Sequence, residues 1–177
     1  MKKKRLHSKG KRAHAALPEV GANAIEAMLS WLSEIFTLRK TLPFHRELAI
    51  NPREIHGGEP DFVVAENCEA LLDFHLPPEA DAASVSAIIE SAKTKVQQHH
   101  PEVDFQHDML FWSAGYHLEK TAIWKKFNTA FDASQLPLNT STFRSHSDAR
   151  MFLDAGMNPY ICGPGCLTSA HRRGEFV

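Results

Sequence analysis

One histidine stands where it could do chemistry: His14, in the stretch GKRAHAALPEVGANAI at residues 10–25. An imidazole there could donate a hydrogen bond or a proton, bind a metal ion, or end a strand with no chemical role. Pro18 and Gly21 follow as turn-forming residues, so the pattern favours a strand, a turn and a helix start. From spacing alone, we favour an ordinary histidine at the end of a strand.

The remaining metal-ligating side chains form no recognisable set. The chain has 11 histidines, and no two of them make a convincing His-x-x-x-His pair on a helix. The three cysteines (Cys68, Cys162 and Cys166) are too few and too scattered for a disulfide framework or a zinc knuckle. Cytoplasmic residence is therefore the default expectation.

Composition excludes several classes of protein. The 177 residues are 43% hydrophobic and 23% charged, as in a soluble globular protein, and the formal net charge of -1 favours neither nucleic acid nor a membrane surface. The basic run at residues 2–5 could be a nucleic-acid patch, but we expect a solvated N-terminal edge. No apolar run is long enough for a signal peptide or a membrane-spanning helix.

The first 112 residues alternate between strand-like and helix-like patterns. Their order, β-α-β-β-α-β, is the split βαβ arrangement of a ferredoxin-like α+β domain. In such a domain two helices cover one face of a four-stranded sheet and leave its edges open, which favours dimerisation. The strands are predicted at residues 3–12, 47–55, 66–74 and 103–111, and the helices at residues 25–36 and 82–98.

Residues 113–177 have a different rhythm. We predict a helix over 118–131, an extended stretch over 136–143, a short helix over 148–155 ending at Gly156, and a strand over 159–162. This incomplete α/β segment is too short to close a core of its own. It has the character of a piece of a larger layered domain.

Three stretches together resemble one family. They are GKRAHAALPEVGANAIEAM (residues 10–28), HGGEPDFVVAENCEALLDFHLPP (56–78) and HSDARMFLDAGMNPYICGPGCLTSAHRRGEFV (146–177). They are similar to the co-catalytic zinc amidohydrolases and metallopeptidases that include aminoacylase, acetylornithine deacetylase, succinyl-diaminopimelate desuccinylase and carboxypeptidase G. The resemblance implies a lid and dimerisation domain at residues 1–112, inserted in a two-zinc catalytic domain whose C-terminal part is residues 113–177.

The resemblance also implies roles for residues of the first stretch. The family's pattern G-x-x-x-H-A-x-x-P-x-x-G-x-N-A is matched here from Gly10 onward. His14 would reach the partner subunit's active site and donate a hydrogen bond to the oxyanion formed at the substrate carbonyl. Gly21 and Asn23 would be structural.

In the last stretch, the resemblance makes His171 a zinc ligand and assigns Gly163 and Gly165 to substrate binding. Asp148 and Glu175 would be structural, Asp148 at the start of a helix. A two-zinc site needs a bridging carboxylate, further ligands and a general base, which the family carries in segments without a counterpart here. We therefore expect no complete zinc site in this chain alone.

Two positions depart from the family. Phe62 stands where the family has an asparagine and His75 where it has an arginine, and that pair commonly holds the substrate's carboxylate. Either the substrate lacks this carboxylate or the site has decayed.

Two functional hypotheses follow. The first is a truncated or split member of the family that hydrolyses amide bonds of N-acyl amino acids or small peptides, inactive alone, with a separate chain carrying the first half of the catalytic domain. The second is a non-catalytic dimerisation or interaction module. Both predict a homodimer through the lid, without nucleic acid or membrane.

Overall fold

The structure is a computed structural model, and it describes residues 1–78, 80–143, 145–163 and 167–175. The chain divides into two compact units. The first unit comprises Met1–Tyr116 and Thr142–His146, and the second comprises His117–Ser141 and Ser147–Val177.

The first unit is a four-stranded sheet with two helices. All neighbouring strands are antiparallel, in the order β2-β3-β1-β4. This confirms the predicted ferredoxin-like α+β fold. Along the chain the elements are β1 (Lys2–Lys9), α1 (Ala24–Arg39), β2 (Ala49–Gly57), β3 (Asn67–His75), α2 (Ala82–Gln97) and β4 (Asp104–Trp112), with a 3-10 turn at Pro18–Val20.

The basic run lies in a central strand, so the expected solvated N-terminal edge is wrong. β1 is paired on both sides, and its alternate residues Lys2 and Lys4 are 0% and 4% exposed. Lys2 Nζ lies 4.8 Å from the centre of the Trp112 ring, and Lys4 Nζ lies 3.2 Å from His107 Nδ1. Burial lowers the pKa of both lysines. Long aliphatic stems let these side chains cross the core face while their ammonium groups find partners.

The other face of β1 is matched to its neighbours by charge. Arg5 pairs across to Asp108 on β4, and its Nε lies 3.5 Å from Glu69 Oε2 on β3. Lys3 pairs with Asp73 in the same register. Opposite charges on adjacent strands stabilise a sheet, so a basic strand between two acidic ones favours this strand order.

The helices pack on the sheet and on each other through apolar side chains. Trp31 of α1 is fully buried, donates from Nε1 to the Ile89 oxygen of α2 at 3.1 Å, and meets Phe105 edge to face. Leu29 fits the helical repeat of apolar residues in α1, with Ile25, Leu32 and Phe36, but it is 54% exposed. The buried face of α1 consists of Ala24, Ala27, Met28, Trp31, Leu32 and Ile35.

The second unit contains α3 (Ala122–Ala133), α4 (Ala149–Asp154) and a 3-10 turn at Leu167–Ser169. The Tyr160 hydroxyl donates to the Glu119 oxygen at 2.6 Å, and its ring lies against Phe127. Gly156 follows α4 with a positive φ of 79°, as a helix-ending glycine requires. The expected strand at 159–162 and extended stretch at 136–143 are not strands here. None of the described helices is long and apolar enough to span a membrane.

The start of α2 gives a prediction about acid stability. Ser84 donates from its backbone N–H and its hydroxyl to Asp81 Oδ1, and these bonds hold the pKa of that carboxyl below its usual value. The stabilisation is present above the unfolded-state pKa of about 3.9 and is lost as the pH falls through the lower folded-state value. We expect Asp81→Ala to lower the thermal midpoint at pH 7 and to flatten its fall below about pH 4.

Thermal unfolding followed by circular dichroism between pH 7 and pH 3 measures this effect. Asp81→Asn is the matched control, because it keeps an oxygen acceptor at the helix start but does not titrate. An acid response of Asp81→Asn equal to that of the unchanged chain would contradict the explanation.

Candidate functional site

His14 lies on a short two-stranded ribbon formed by residues 10–15 and 61–66, called here the His14 ribbon. The Val64 N–H donates to the Ala13 oxygen at 2.8 Å, and the Ala15 N–H donates to the Phe62 oxygen at 3.0 Å. These two bonds flank the His14–Val63 bridge, so four main-chain groups fix the backbone on either side of the histidine.

Residues 10 and 11 of the His14 ribbon are also fixed by main-chain hydrogen bonds. The Gly10 N–H donates to the Glu66 oxygen at 2.7 Å, and Lys11 and Ala22 exchange two bonds of 2.9 Å. A Cβ on Gly10 would lie 1.9 Å from the Ala22 oxygen, and a Cβ on Gly21 would lie 2.7 Å from the Ala13 Cβ. The backbone segments approach each other this closely only because both positions are glycine.

The connection from the ribbon to α1 is closed by Asn23. Its Oδ1 accepts from the backbone N–H groups of Ile25 at 2.9 Å and Glu26 at 3.3 Å. Asn23 is thus the N-cap of α1, and it satisfies two helix donors that have no partner within the helix.

The His14 ring is exposed and has a defined hydrogen-bond role. The Ala16 N–H donates to His14 Nδ1 at 3.1 Å. Because Nδ1 is an acceptor, the neutral ring carries its proton on Nε2. The hydrogen bond to Nδ1 thus leaves Nε2 as the nitrogen that can donate to a ligand.

The two positions that depart from the family lie far apart within one protomer. Phe62 is a ribbon residue next to Val63, which pairs with His14, and it is 87% exposed. His75 ends β3, eight residues beyond Asn67, which pairs with Lys9 just before the ribbon. At the usual strand rise this is about 26 Å, so His75 lies at the opposite end of the sheet.

The candidate residues of the second unit that the structure describes are exposed. His171 has a φ of 61°, and its backbone N–H donates to Glu175 Oε2 at 2.8 Å. Apart from its chain neighbours, no atom of the described residues lies within 4 Å of the place that a Cβ on Gly163 would take. Asp148 lies at the N-cap position of α4, at the start of the helix as expected, and its side chain makes no capping hydrogen bond. Gly165 lies outside the described residues.

The donor set does not fit the zinc ions that the resemblance implies. No group of three His, Cys, Asp or Glu side chains in the described part of the chain is placed to hold a metal ion. His171 is followed by Arg172 and Arg173, whose charges disfavour a cation nearby.

One ion pair near His14 was not predicted from the sequence. Arg12 Nη2 donates to Asp61 Oδ2 at 2.8 Å, and both side chains are about half exposed or more, at 48% and 65%. The two residues are 49 positions apart, so only the ribbon pairing reveals the contact.

Comparison with known proteins identifies the fold. Residues 2–102 match the family described as the peptidase dimerisation domain, which is more than half of the chain. The chain belongs to this family. The dimerisation-domain match covers β1 to α2 and therefore includes the His14 ribbon.

Among curated proteins, the chain is 24% identical over 180 residues to an acetylornithine deacetylase of Myxococcus xanthus. The match covers 96% of this chain but only 46% of that protein, so the chain spans about half of its relative. The resemblance to amidohydrolases and peptidases read from the sequence is confirmed at the level of the family.

Solved structures show the same fold at low identity. An aminopeptidase of Bacillus cereus superposes with a TM-score of 0.63 at 15% identity, covering 88% of this chain and 41% of that one. A tripeptidase of Staphylococcus aureus gives 0.63 at 18%, covering 89% and 42%. A hydantoinase/carbamoylase family amidase of Burkholderia phymatum gives 0.64 at 15%, covering 86% and 38%.

The tautomer of His14 can be measured directly. We expect two-bond and three-bond ¹⁵N–¹H correlation spectra at mildly alkaline pH to show His14 protonated on Nε2, because Nδ1 accepts from the Ala16 N–H.

His45 is an internal control in the same spectrum. Its Nδ1 lies 2.8 Å from the Leu42 oxygen, so Nδ1 must be the donor and the opposite tautomer is expected. A His14 ring protonated on Nδ1 would rule out the hydrogen-bond assignment at His14, and an Nδ1-protonated His45 in the same spectrum shows that the experiment distinguishes the two tautomers.

Proposed function

We propose that this chain supplies the lid and dimerisation domain of a zinc-dependent amidohydrolase or peptidase, and that His14 donates a hydrogen bond to the oxyanion formed in the partner subunit's active site. The observation that carries the proposal is the neutral Nε2–H of His14, presented on a rigid ribbon within a dimerisation domain. Residues 1–112 form this domain, and residues 113–177 form the C-terminal part of the catalytic domain.

The chemistry assigned to His14 is electrostatic. In amide hydrolysis water adds to the carbonyl carbon, and negative charge develops on the carbonyl oxygen before the amine leaves. A donor held in place before the reaction stabilises that charge without reorganising, and removing one such donor typically costs about 100- to 1,000-fold in kcat. The main-chain bonds at Ala13 and Ala15 supply the rigidity this requires.

The exposed apolar side chains of the second unit support the proposal that it is part of a larger catalytic domain. Among its described residues only Ala149 is buried, while seven large apolar side chains are 48% exposed or more. Exposed apolar groups in this number mark a surface that another polypeptide surface covers. They are Ile123, Leu136, Met151, Phe152, Met157, Ile161 and Leu167.

The metal belongs to that larger assembly. Because the described donors do not form a zinc site, His171 would be one ligand among several supplied by the rest of the catalytic domain, on this or a separate polypeptide. When bound, the zinc ions would activate water and polarise the amide carbonyl. Cytoplasmic residence remains a prediction; Cys68 and Cys162 are free thiols.

The homodimer is proposed to form through the β2 edge. Residues 51–57 of this edge strand are all exposed. Ile55 of β2 and Leu29 of the nearby helix α1 are apolar side chains exposed at 46% and 54%. The β4 edge is tied to α2 by the His107–Glu90 contact of 2.6 Å, and the pairing of each edge strand has one register shift. The β2 edge, exposed over residues 51–57 and flanked by apolar side chains, favours pairing between copies.

A domain graft tests the role of His14. Residues 2–102 would replace the aligned segment of the Myxococcus xanthus acetylornithine deacetylase. We expect a dimeric chimera that hydrolyses acetylornithine, and a His14→Ala chimera whose kcat is about 100- to 1,000-fold lower at a nearly unchanged KM.

His99→Ala is the matched control, because His99 is an exposed histidine of the same unit away from the ribbon. Equal kcat values for the His14→Ala and unchanged chimeras would refute the oxyanion role. A folded, dimeric chimera without any hydrolysis would favour the non-catalytic module.

The dimer surface is tested by one charge on each edge of the sheet. Ile55→Asp on β2 should raise the dimer dissociation constant at least about tenfold, because a two-fold interface contains each substitution twice and would bury two unpaired carboxylates. Met109→Asp on β4 is the control, since Met109 is equally exposed, at 44% against 46%. Sedimentation equilibrium measures both, and dissociation by Met109→Asp alone would assign the interface to β4 instead.

A further inference from the structure

The Arg12–Asp61 ion pair spans the His14–Val63 pair of the ribbon. Arg12 is two residues before His14 in the same segment, so their Cα atoms are at most about 7 Å apart. The two segments of the ribbon run in opposite directions. Arg12, two residues before His14, and Asp61, two residues before Val63, therefore lie on opposite sides of the His14–Val63 pair. The contact between Arg12 Nη2 and Asp61 Oδ2 therefore crosses the ribbon beside the His14–Val63 pair.

The guanidinium has more donors than Asp61 uses. Arginine presents five N–H donors in a planar fork, and Arg12 donates from Nη2 to Asp61 Oδ2. Both side chains are exposed, and exposed ion pairs contribute only about 0.2–1 kcal/mol, so another carboxylate can displace Asp61. Asp61 shows which chemical group the fork accepts at this place.

Resting on the function proposed above, we propose that Arg12 is the specificity residue of the His14 site and binds the free carboxylate of an acylated amino acid, with Asp61 as its internal competitor. In such a substrate only two atoms separate the amide carbonyl carbon from the carboxylate carbon. A neutral donor for the carbonyl oxygen and a cationic fork for the carboxylate on the same ribbon match that arrangement. His75 cannot do this within the protomer, because it ends β3 at the far end of the sheet.

An NMR titration of the full chain tests the assignment. The probes are N-acetylglycine, which carries the carboxylate, and N-acetylglycinamide, which differs only in its neutral amide. We expect N-acetylglycine to shift the Arg12 Nε–Hε and His14 ring signals saturably and the amide to leave them unchanged. Arg12→Gln should abolish the response, and Asp61→Asn should tighten binding by up to about fivefold by removing the competitor.

Arg53→Gln is the matched control, because Arg53 is an exposed arginine whose Nε lies 2.9 Å from the Glu54 carboxylate. The proposal is overturned if the acid and the amide bind alike, if Arg53→Gln weakens binding as much as Arg12→Gln, or if no saturable shift appears even in Asp61→Asn.

Two further results separate this inference from the proposed function. In His14→Ala the Arg12 signal should still respond to N-acetylglycine, so a failed oxyanion role leaves carboxylate binding measurable. Conversely, a chimera that needs His14 for kcat while Arg12→Gln leaves the titration unchanged would remove only the role of Arg12.

Discussion

The position of His14 depends on main-chain hydrogen bonds that hold residues 10–15 between two other segments. Gly10 bonds to Glu66, Lys11 to Ala22, and Ala13 and Ala15 to the strand at residues 61–66. A side chain at position 10 would exclude this arrangement, since a Cβ there would lie 1.9 Å from the Ala22 oxygen, well inside van der Waals contact distance. The histidine is therefore placed by main-chain hydrogen bonds of the dimerisation domain.

Local patterns were enough to predict the element order of the first unit. Alternating and helical periodicities are written within each segment, and strands and helices were found within a few residues of their predicted bounds. The place of β1 in the sheet was not predictable from its own residues. Four basic residues resemble a solvated edge until the acidic strands β3 and β4, about 65 and 100 residues away, are known to flank them.

The features that were not predicted correctly depend on contacts between residues that are far apart in the sequence. Leu29 fits an apolar stripe, but the buried face of α1 includes Trp31, whose indole contacts Phe105 and donates to the Ile89 oxygen. The strand expected at 159–162 needs a neighbouring strand, and the described structure offers none there. The Arg12–Asp61 pair joins positions 49 apart, whereas His14 was recognisable because its whole motif is contiguous.

The two-sided pairing of β1 also determines how the chain responds to proteases. Trypsin cleaves after lysine and arginine only when several residues can be drawn out in extended form into its cleft. Residues 2–5 offer four consecutive cleavage sites in an unfolded chain, but in the sheet each is hydrogen-bonded between two strands. Arg172 and Arg173, in an exposed turn of the second unit, have no such protection. Tryptic digestion under native conditions thus distinguishes opening of the sheet from trimming of the second unit.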